Sequence, residues 1–225
     1  MRNTSRSRFT WLGLIAAILS SFALASCMGT GSEPRAVGVT VGTASENVDP
    51  STGTVVFAVG WGRQWGCGSY ENAQLEELGF SKLGGGAFDA GKPADILAKA
   101  PRFSTGSQIV ENLVFTVAPG QYAFDRFRIK VARSASNVGR VSVGPEDLFK
   151  DGQPIGGTFS VSGGEVVYIG HFGIDCEIEP IPWRFYIDGR DDYAKYVAEL
   201  SDEHPALRGR EVKFRPLNTR NFGGP

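Results

Sequence analysis

The chain has 225 residues, of which 41% are hydrophobic and 21% charged, and its formal net charge is −1. These values exclude an intrinsically disordered chain, which combines low hydrophobicity with high net charge. They also argue against a nucleic-acid-binding protein, which needs a clear excess of positive charge. Glycine, with 30 residues, is nearly twice as frequent as the usual ~7%. That excess indicates many tight turns, as in a protein built of short β-strands.

Residues 1–27 have the three parts of an export signal. Three arginines form a positively charged start, and an apolar run beginning at Trp11 follows. This run is shorter than the ~20 apolar residues that a membrane-spanning helix needs. It ends in Leu24-Ala25-Ser26-Cys27. That sequence resembles the lipobox of bacterial lipoproteins, a leucine and two small residues before the cysteine that receives the lipid.

The lipobox resemblance implies that Cys27 carries a diacylglycerol thioether and becomes the mature N-terminus, so that the membrane is one partner through an acyl anchor. In enteric bacteria an aspartate after this cysteine retains the protein in the inner membrane, and Met28 stands there instead. The resemblance therefore implies an outer-membrane lipoprotein facing the periplasm, if the organism is Gram-negative. An ordinary secretory peptide is the alternative. We expect a signal peptide at 1–26, a tether at 27–36 and one domain over 37–225.

Strand patterns dominate the chain beyond the tether. Predicted strands, in chain order, are 54–59, 112–117, 122–131, 158–161, 165–169 and 183–187. In the third of them the apolar alternation slips at Asp125-Arg126, which predicts a β-bulge. Pro119-Gly120 fits a turn before the return strand, and Ser162-Gly163-Gly164 predicts a hairpin between 158–161 and 165–169.

The remaining segments are less regular. Residues 70–78 fit a helix or a strand. The Gly- and Pro-rich stretch 84–108 is too long for a routine connection, and the alternatives for it are a functional loop and a poorly ordered loop. Residues 190–203 predict an amphipathic helix that ends before Pro205, and 211–215 is a last strand or an extended tail. The whole predicts a mainly β protein, an antiparallel β-sandwich or partly open barrel with one C-terminal α-helix packed on it.

Cys67 and Cys176 are the cysteines that remain once Cys27 is lipidated. Since an exported compartment is oxidising, a disulfide between them is the simplest prediction. A catalytic alternative exists, because Gly66-Cys67-Gly68-Ser69 resembles part of the nucleophile signature of papain-type proteases, with His204 and Asn218 downstream. The second cysteine and the aromatic residue of that signature are replaced by Tyr70 and Glu71.

Other catalytic or metal patterns are weak. Asp175, Glu177 and Glu179 alternate, which is typical of a solvated strand face and leaves a carboxylate pair for acid–base work as the alternative. His171 precedes Cys176 without a paired metal-binding motif. We therefore expect no catalytic residue, no metal and no cofactor.

Two groups of residues are candidates for partner binding. One is a run of positive charge on one hairpin arm, Arg126, Arg128 and Lys130 with Arg133 and Arg140, which suits anionic lipid head groups or cell-wall polymers if these side chains face outward. Its alternative role is to guard a strand edge. The other is a Gly-rich aromatic loop containing Trp61, Arg63, Trp65 and Tyr70, which could stack on sugars or grip a protein. Its alternative role is packing around the disulfide.

A looser resemblance connects the chain to uncharacterised envelope lipoproteins of proteobacteria with a transthyretin-like β-sandwich. It rests on the Pro-Gly turn in 117–122, on the Gly-Glu-Val-Val-Tyr-Ile-Gly run at 164–170 and on the acidic helix before Pro205. The resemblance implies a non-enzymatic envelope role. We expect a lipid-anchored, non-catalytic binding or scaffolding module whose partner is an envelope protein or a cell-wall glycan, and no nucleic acid. The alternatives are an envelope hydrolase using Cys67 or a carboxylate pair, and a purely structural outer-membrane-associated protein.

Overall fold

A computed structural model of the chain describes residues 49–84, 92–101, 109–185, 187 and 190–223. The described residues fall within one compact unit. The predicted signal peptide, Cys27 and the tether lie outside the described residues, as do parts of the 84–108 stretch.

The described part of the chain contains thirteen strands, two α-helices and one 3₁₀ turn. In chain order these are β1 (Gly53–Gly60), β2 (Arg63–Cys67), β3 (Tyr70–Lys82), β4 (Ile96–Lys99), β5 (Val110–Val117), β6 (Gly120–Ser134), β7 (Asn137–Val143), α1 (Pro145–Leu148), β8 (Phe149–Lys150), β9 (Gln153–Pro154), β10 (Thr158–Val161), β11 (Val166–Asp175), β12 (Ile181–Phe185), α2 (Arg190–Glu203), the 3₁₀ turn (Pro205–Leu207) and β13 (Val212–Phe214).

Two sheets form a sandwich, which confirms the predicted fold class. The first sheet has the order β12-β11-β1-β5, with β13 also paired to β11. The second has the order β10-β6-β3-β2, with β4 paired to β3 and β7 to β6. The first sheet is mixed, because β1–β11 and β11–β13 are parallel pairs, whereas the sequence predicted antiparallel strands.

The core lies between the sheets and is rich in aromatic rings. Phe57 of β1 lies 5.6 Å from Phe80 of β3, and Phe80 lies 5.7 Å from Phe172 of β11, measured between ring centroids. β1 is buried on both faces, because Phe57 points to the second sheet while Val56 contacts the residues under α2. The continuous apolar run at 54–59 is the sequence signature of such a central strand.

Helix α2 covers the outer face of the first sheet, as predicted. A second cluster of buried residues, separate from the core between the sheets, contains Tyr196 and Leu200 of the helix with Val56 and Tyr168 of the sheet. The partly buried Tyr193 and Val197 pack against this cluster. The apolar stripe of the helix therefore covers one side of the first sheet. On the outer face of the second sheet, residues 92–95 lie against Gly79 and Arg126, whereas Arg128 and Arg140 are exposed to solvent.

Two predicted turns join different sheets, so the hairpin prediction for 158–161 and 165–169 is wrong. β10 pairs with β6, whereas β11 pairs with β1, and the turn at Ser162 takes the chain across the sandwich. The Pro119-Gly120 turn likewise leads from β5 in the first sheet to β6 in the second. A turn sequence specifies a reversal of direction, but the burial needs of each strand decide which neighbour it takes. The run 166–169 is apolar throughout and lies beside β1, which is buried on both faces.

Strand pairing decides the structure of the segments that the sequence left ambiguous and the bounds of one predicted strand. The ambiguous segment 70–78 is part of β3, and 211–215 contains the short strand β13. β12 spans Ile181–Phe185 and thus begins before the predicted 183–187. The 84–108 stretch contains β4, whose pairing with β3 the sequence did not predict.

The predicted bulge in β6 is confirmed at Asp125. Gly79 of β3 pairs with Arg126 and the next residue, Phe80, pairs with Phe124, so Asp125 is the extra residue. Its carboxylate is fully buried and accepts hydrogen bonds from the Ser81 hydroxyl at 2.7 Å and from Arg126 Nη2 at 3.0 Å. After the bulge, Phe127 is buried and faces the core, so its even-numbered neighbours face outward.

Glu165 ties the C-terminal segment to the turn between β10 and β11. Burial raises the pKa of its carboxyl, but hydrogen bonds from Lys213, the Ser162 amide and Arg215 outweigh this and hold the pKa at about 2. Lys213 Nζ and Arg215 Nη2 both lie 2.9 Å from Glu165 Oε1.

We predict that this cluster makes the protein acid-sensitive. Because the folded-state pKa lies below the ordinary ~4.3, the stabilisation is present above about pH 5 and is lost as the pH falls toward 2. Lys213 and Arg215 are partly exposed, and solvent screening limits the effect to roughly 1–2 kcal/mol. Denaturant unfolding of the wild type and of Glu165→Gln at pH 7 and pH 3 measures it. The stability gap between the two proteins should shrink at pH 3, and an equal gap at both pH values would contradict the assignment.

Candidate binding surface

The disulfide joins the two sheets at one end of the sandwich. Cys67 at the end of β2 is bonded to Cys176 just after β11, with their Cα atoms 4.3 Å apart, which confirms the predicted pair. The backbone N–H of Gly68 donates to the carbonyl of Cys176 at 3.2 Å. Gly68 has φ +55°, and a Cβ there would lie 2.1 Å from the carbonyl oxygen of Ile178, so this close approach requires glycine.

The arrangement does not assemble the papain-like set that the sequence raised as an alternative. Cys67 is bonded to Cys176 and buried in the core, whereas His204 follows α2, which packs on the outer side of the first sheet. The Asn218 backbone pairs with Thr158.

Asp175 and His171 also have local partners. Asp175 accepts a hydrogen bond from the backbone N–H of Glu177 at 2.9 Å, in the loop between β11 and β12. His171 Nδ1 shares a hydrogen bond with the Tyr168 hydroxyl, and burial lowers the pKa of the imidazole. Among the described residues there is no group of three His, Cys, Asp or Glu side chains suited to hold a metal ion.

Trp61 belongs to the core and not to the surface. It is fully buried, and its indole N–H donates to Glu111 Oε2 at 2.7 Å. The expectation that it contacts a partner is therefore corrected. Tyr70 is half-buried against the core, and the Arg133 guanidinium lies 4.8 Å from the centre of its ring. Both residues pack in or against the core cluster that also contains Cys67.

Arg126 is likewise a structural residue. Its guanidinium donates to the buried Asp125 carboxylate and to the carbonyl of Lys92 at 3.0 Å. Arg126 thus neutralises the buried acid of the bulge, and it does not line the groove that Arg128 and Lys130 line.

The other predicted residues come together on the outer face of the second sheet, around a shallow groove of about 480 Å³. β2 and β4 lie one after the other along the same edge of β3, and the groove lies where one ends and the other begins. A second bulge, at Glu76 of β3, occupies this gap. The residues that line the groove are Arg63, Gln74, Glu76, Lys99, Ala100, Pro101, Arg128, Lys130 and Arg140.

A row of outward side chains crosses four strands of this face. From β2 through β3 and β6 to β7, paired residues in the row are Arg63, Gln74, Lys130 and Arg140. Neighbouring strands are ~4.8 Å apart, so the row is roughly 14 Å long. We call this row and the groove around it the basic groove.

Positive charge exceeds negative charge in the basic groove. Glu76 Oε2 lies 2.8 Å from Arg140 Nε and 3.4 Å from Arg128 Nε, and Arg128 Nη2 also reaches Glu77 at 2.6 Å. Within the described part of the chain, Arg63, Lys99 and Lys130 form no ion pair. The five cations of the groove therefore face two carboxylates, which favours an anionic ligand.

Trp65 stands beside the groove on the same face. It is 61% exposed, and the Arg63 guanidinium lies 5.5 Å from the centre of its ring. Gly66, with φ +70°, breaks the alternation of β2, so Trp65 points outward while Cys67 enters the core. The aromatic loop thus contributes Arg63 and Trp65 to the surface and Trp61 to the core.

Sequence reasoning missed Lys99, Gln74 and Glu76. Lys99 lies on β4, inside the stretch predicted as a loop, and only the alternation of buried Ile96 and Ala98 with their neighbours could have revealed a strand there. Gln74 and Glu76 lie in the segment that the sequence left open between helix and strand.

No protein-family model, no curated protein and no solved structure matches this chain. Among the described residues, no helix has both the length and the apolar character needed to cross a membrane.

Proposed function

We propose that this protein is a lipid-anchored, non-catalytic binding module of the cell envelope, and that the basic groove binds an anionic ligand there. The observation that carries the proposal is the row of cations across the outer face of the second sheet, where no described element covers them. A buried structural role would demand paired charges, and Arg63 and Lys130 of the row, like Lys99 beside it in the groove, have no carboxylate partner among the described residues.

The anchor part of the proposal depends on the lipobox resemblance at Leu24 to Cys27. By that resemblance the module is held at the outer membrane and faces the periplasm, in the manner of proteobacterial envelope lipoproteins with transthyretin-like sandwiches. The two-sheet architecture of the domain suits such a module.

The strand directions place Arg63 at the far end of the sandwich from Asp49, where the described residues begin. The described chain enters beside the turn after β10, where the N–H of Gly164 donates to the carbonyl of Thr52 at 2.7 Å. β1 and β11 run parallel from this end, and the disulfide and Arg63 follow their far ends. Eight residues of strand at ~3.3 Å each place those features about 25 Å from the entry point.

The two alternatives have less support. An envelope hydrolase using Cys67 would need a free thiolate, and the disulfide removes it. A purely structural outer-membrane-associated protein would gain nothing from uncompensated cations beside an exposed tryptophan.

We predict that inorganic tripolyphosphate binds the full chain in detergent and that R63Q/K130Q/R140Q weakens this binding at least tenfold. Three exposed ion pairs are worth together roughly 1.5–3 kcal/mol, and affinity should also fall with added salt. The matched control is K150Q/K195Q/R220Q, which removes three exposed cations outside the groove. Calorimetric titration measures both variants. Equal affinity of the two triple variants, or no binding by the wild type, would refute the proposed function.

A further inference from the structure

We infer that the ligand of the basic groove is an anionic glycan, a chain of sugar rings that carry carboxylate or phosphate groups. This inference rests on the proposed function and adds to it the chemical class of the ligand. Three features of the surface point to it: the spacing of the cations, the polar character of the groove and the position of Trp65.

The cations are spread along a line and do not converge on one point. Arg63 and Lys130 are separated by two strand spacings, roughly 10 Å, and Lys130 and Arg140 by one, about 5 Å. A small anion can contact only neighbouring members of such a row. An extended polymer that runs across the strands, with charges repeated along its length, can meet all three cations at once.

The groove offers hydrogen bonds and charge but little apolar area. Its lining contains only Ala100 and Pro101 as apolar residues. Stable protein interfaces instead have an apolar centre from which water is excluded, with aromatic anchors seated in pockets. A shallow polar groove therefore suits a heavily hydroxylated ligand better than an acidic protein segment.

Trp65 supplies the feature that distinguishes a sugar from a bare polyanion. Its ring is 61% exposed and lies two positions along β2 from Arg63, on the same outward face. Sugar rings have an apolar face of C–H groups that stacks on an aromatic ring, while their hydroxyl and acidic groups point sideways. A glycan that contacts the cation row can thus place a neighbouring ring on Trp65.

The test compares polygalacturonate, a linear polymer of sugar carboxylates, with poly-glutamate of similar charge, using the full chain in detergent. We expect polygalacturonate to bind more tightly. Trp65→Ala should weaken polygalacturonate binding about fivefold or more and leave poly-glutamate binding unchanged. Trp65→Phe keeps an aromatic ring and should retain most of the wild-type affinity for polygalacturonate. Ile178→Ala is the matched control, because Ile178 is also an exposed large apolar residue.

The outcomes separate the two proposals. If poly-glutamate binds as well as polygalacturonate and Trp65→Ala affects neither polymer, the groove is a general anion site, and the glycan inference is overturned while the proposed function stands. If neither polymer nor tripolyphosphate binds the wild type, both proposals fail together.

Discussion

Replacement of both Cys67 and Cys176 by serine is expected to lower the free energy of unfolding by roughly 4–5 kcal/mol, because the disulfide closes a loop of about 100 residues in the unfolded chain. The two cysteines are 109 positions apart in sequence. Guanidinium unfolding followed by tryptophan fluorescence measures the loss, with Cys27→Ser in both proteins so that no third cysteine takes part.

Two comparisons control this prediction. Reduction of the parent protein should reproduce the unfolding midpoint of the double variant, and addition of reductant to the variant should change nothing. If oxidised and reduced parent protein unfold at the same denaturant concentration, the disulfide does not stabilise the fold by closing a loop in the unfolded chain.

The same bond bears on the basic groove. β2 is a five-residue edge strand that carries Arg63 and Trp65, and its last residue is Cys67. A short edge strand is held weakly by hydrogen bonds on one side alone. We therefore expect reduction to weaken polygalacturonate binding as well as stability.

Removal of the buried carboxylate by Asp125→Ala should cost about 3 kcal/mol, because it leaves the Arg126 guanidinium without its counter-ion and the Ser81 hydroxyl without its acceptor. Asp125→Asn should cost less, since it keeps a hydrogen-bond acceptor at the same position. Denaturant unfolding at pH 7 compares both variants with Asp147→Ala, which removes an exposed acid and should stay within about 0.5 kcal/mol of the wild type.

If Asp125→Ala unfolds at the same denaturant concentration as Asp147→Ala, the buried pair does not stabilise the bulge.

The bulge at Asp125 also decides which side chains of β6 face outward. It sets the phase of β6, and a shift by one residue would turn Arg128 and Lys130 toward the core. The basic groove therefore forms only when the bulge at Asp125 keeps β6 in this register.

The two outer faces of the sandwich have different roles. α2 covers the outer face of the first sheet, and the ring centroids of Tyr196 in the helix and Tyr168 in the sheet are 5.3 Å apart. The second sheet presents charged and polar side chains on β2, β3, β6 and β7 instead. Structural packing is thus concentrated on the outer face of the first sheet, and the outer face of the second sheet is the one that we propose as the binding surface.

Local sequence patterns determined much of this fold. The apolar run of β1, the slip at Asp125, the stripe on α2 and the two cysteines for an oxidising compartment all predict features that the structure contains. Each of them depends on residues close together in the chain or on simple chemistry. The lipobox at Leu24 to Cys27 remains a prediction from the sequence.

Tertiary structure alone decided which strands are neighbours and which side chains share a face. The sequence placed Trp61 and Trp65 in one aromatic loop, but the path of the chain buries the first and exposes the second. Arg63, Lys130 and Arg140 form a row only because β2, β3, β6 and β7 pair in a particular register, across turns and sheet crossings. Period-two alternation specifies the face of each residue within its own strand. Pairing between strands distant in sequence depends on the burial of the whole core, which no local pattern contains.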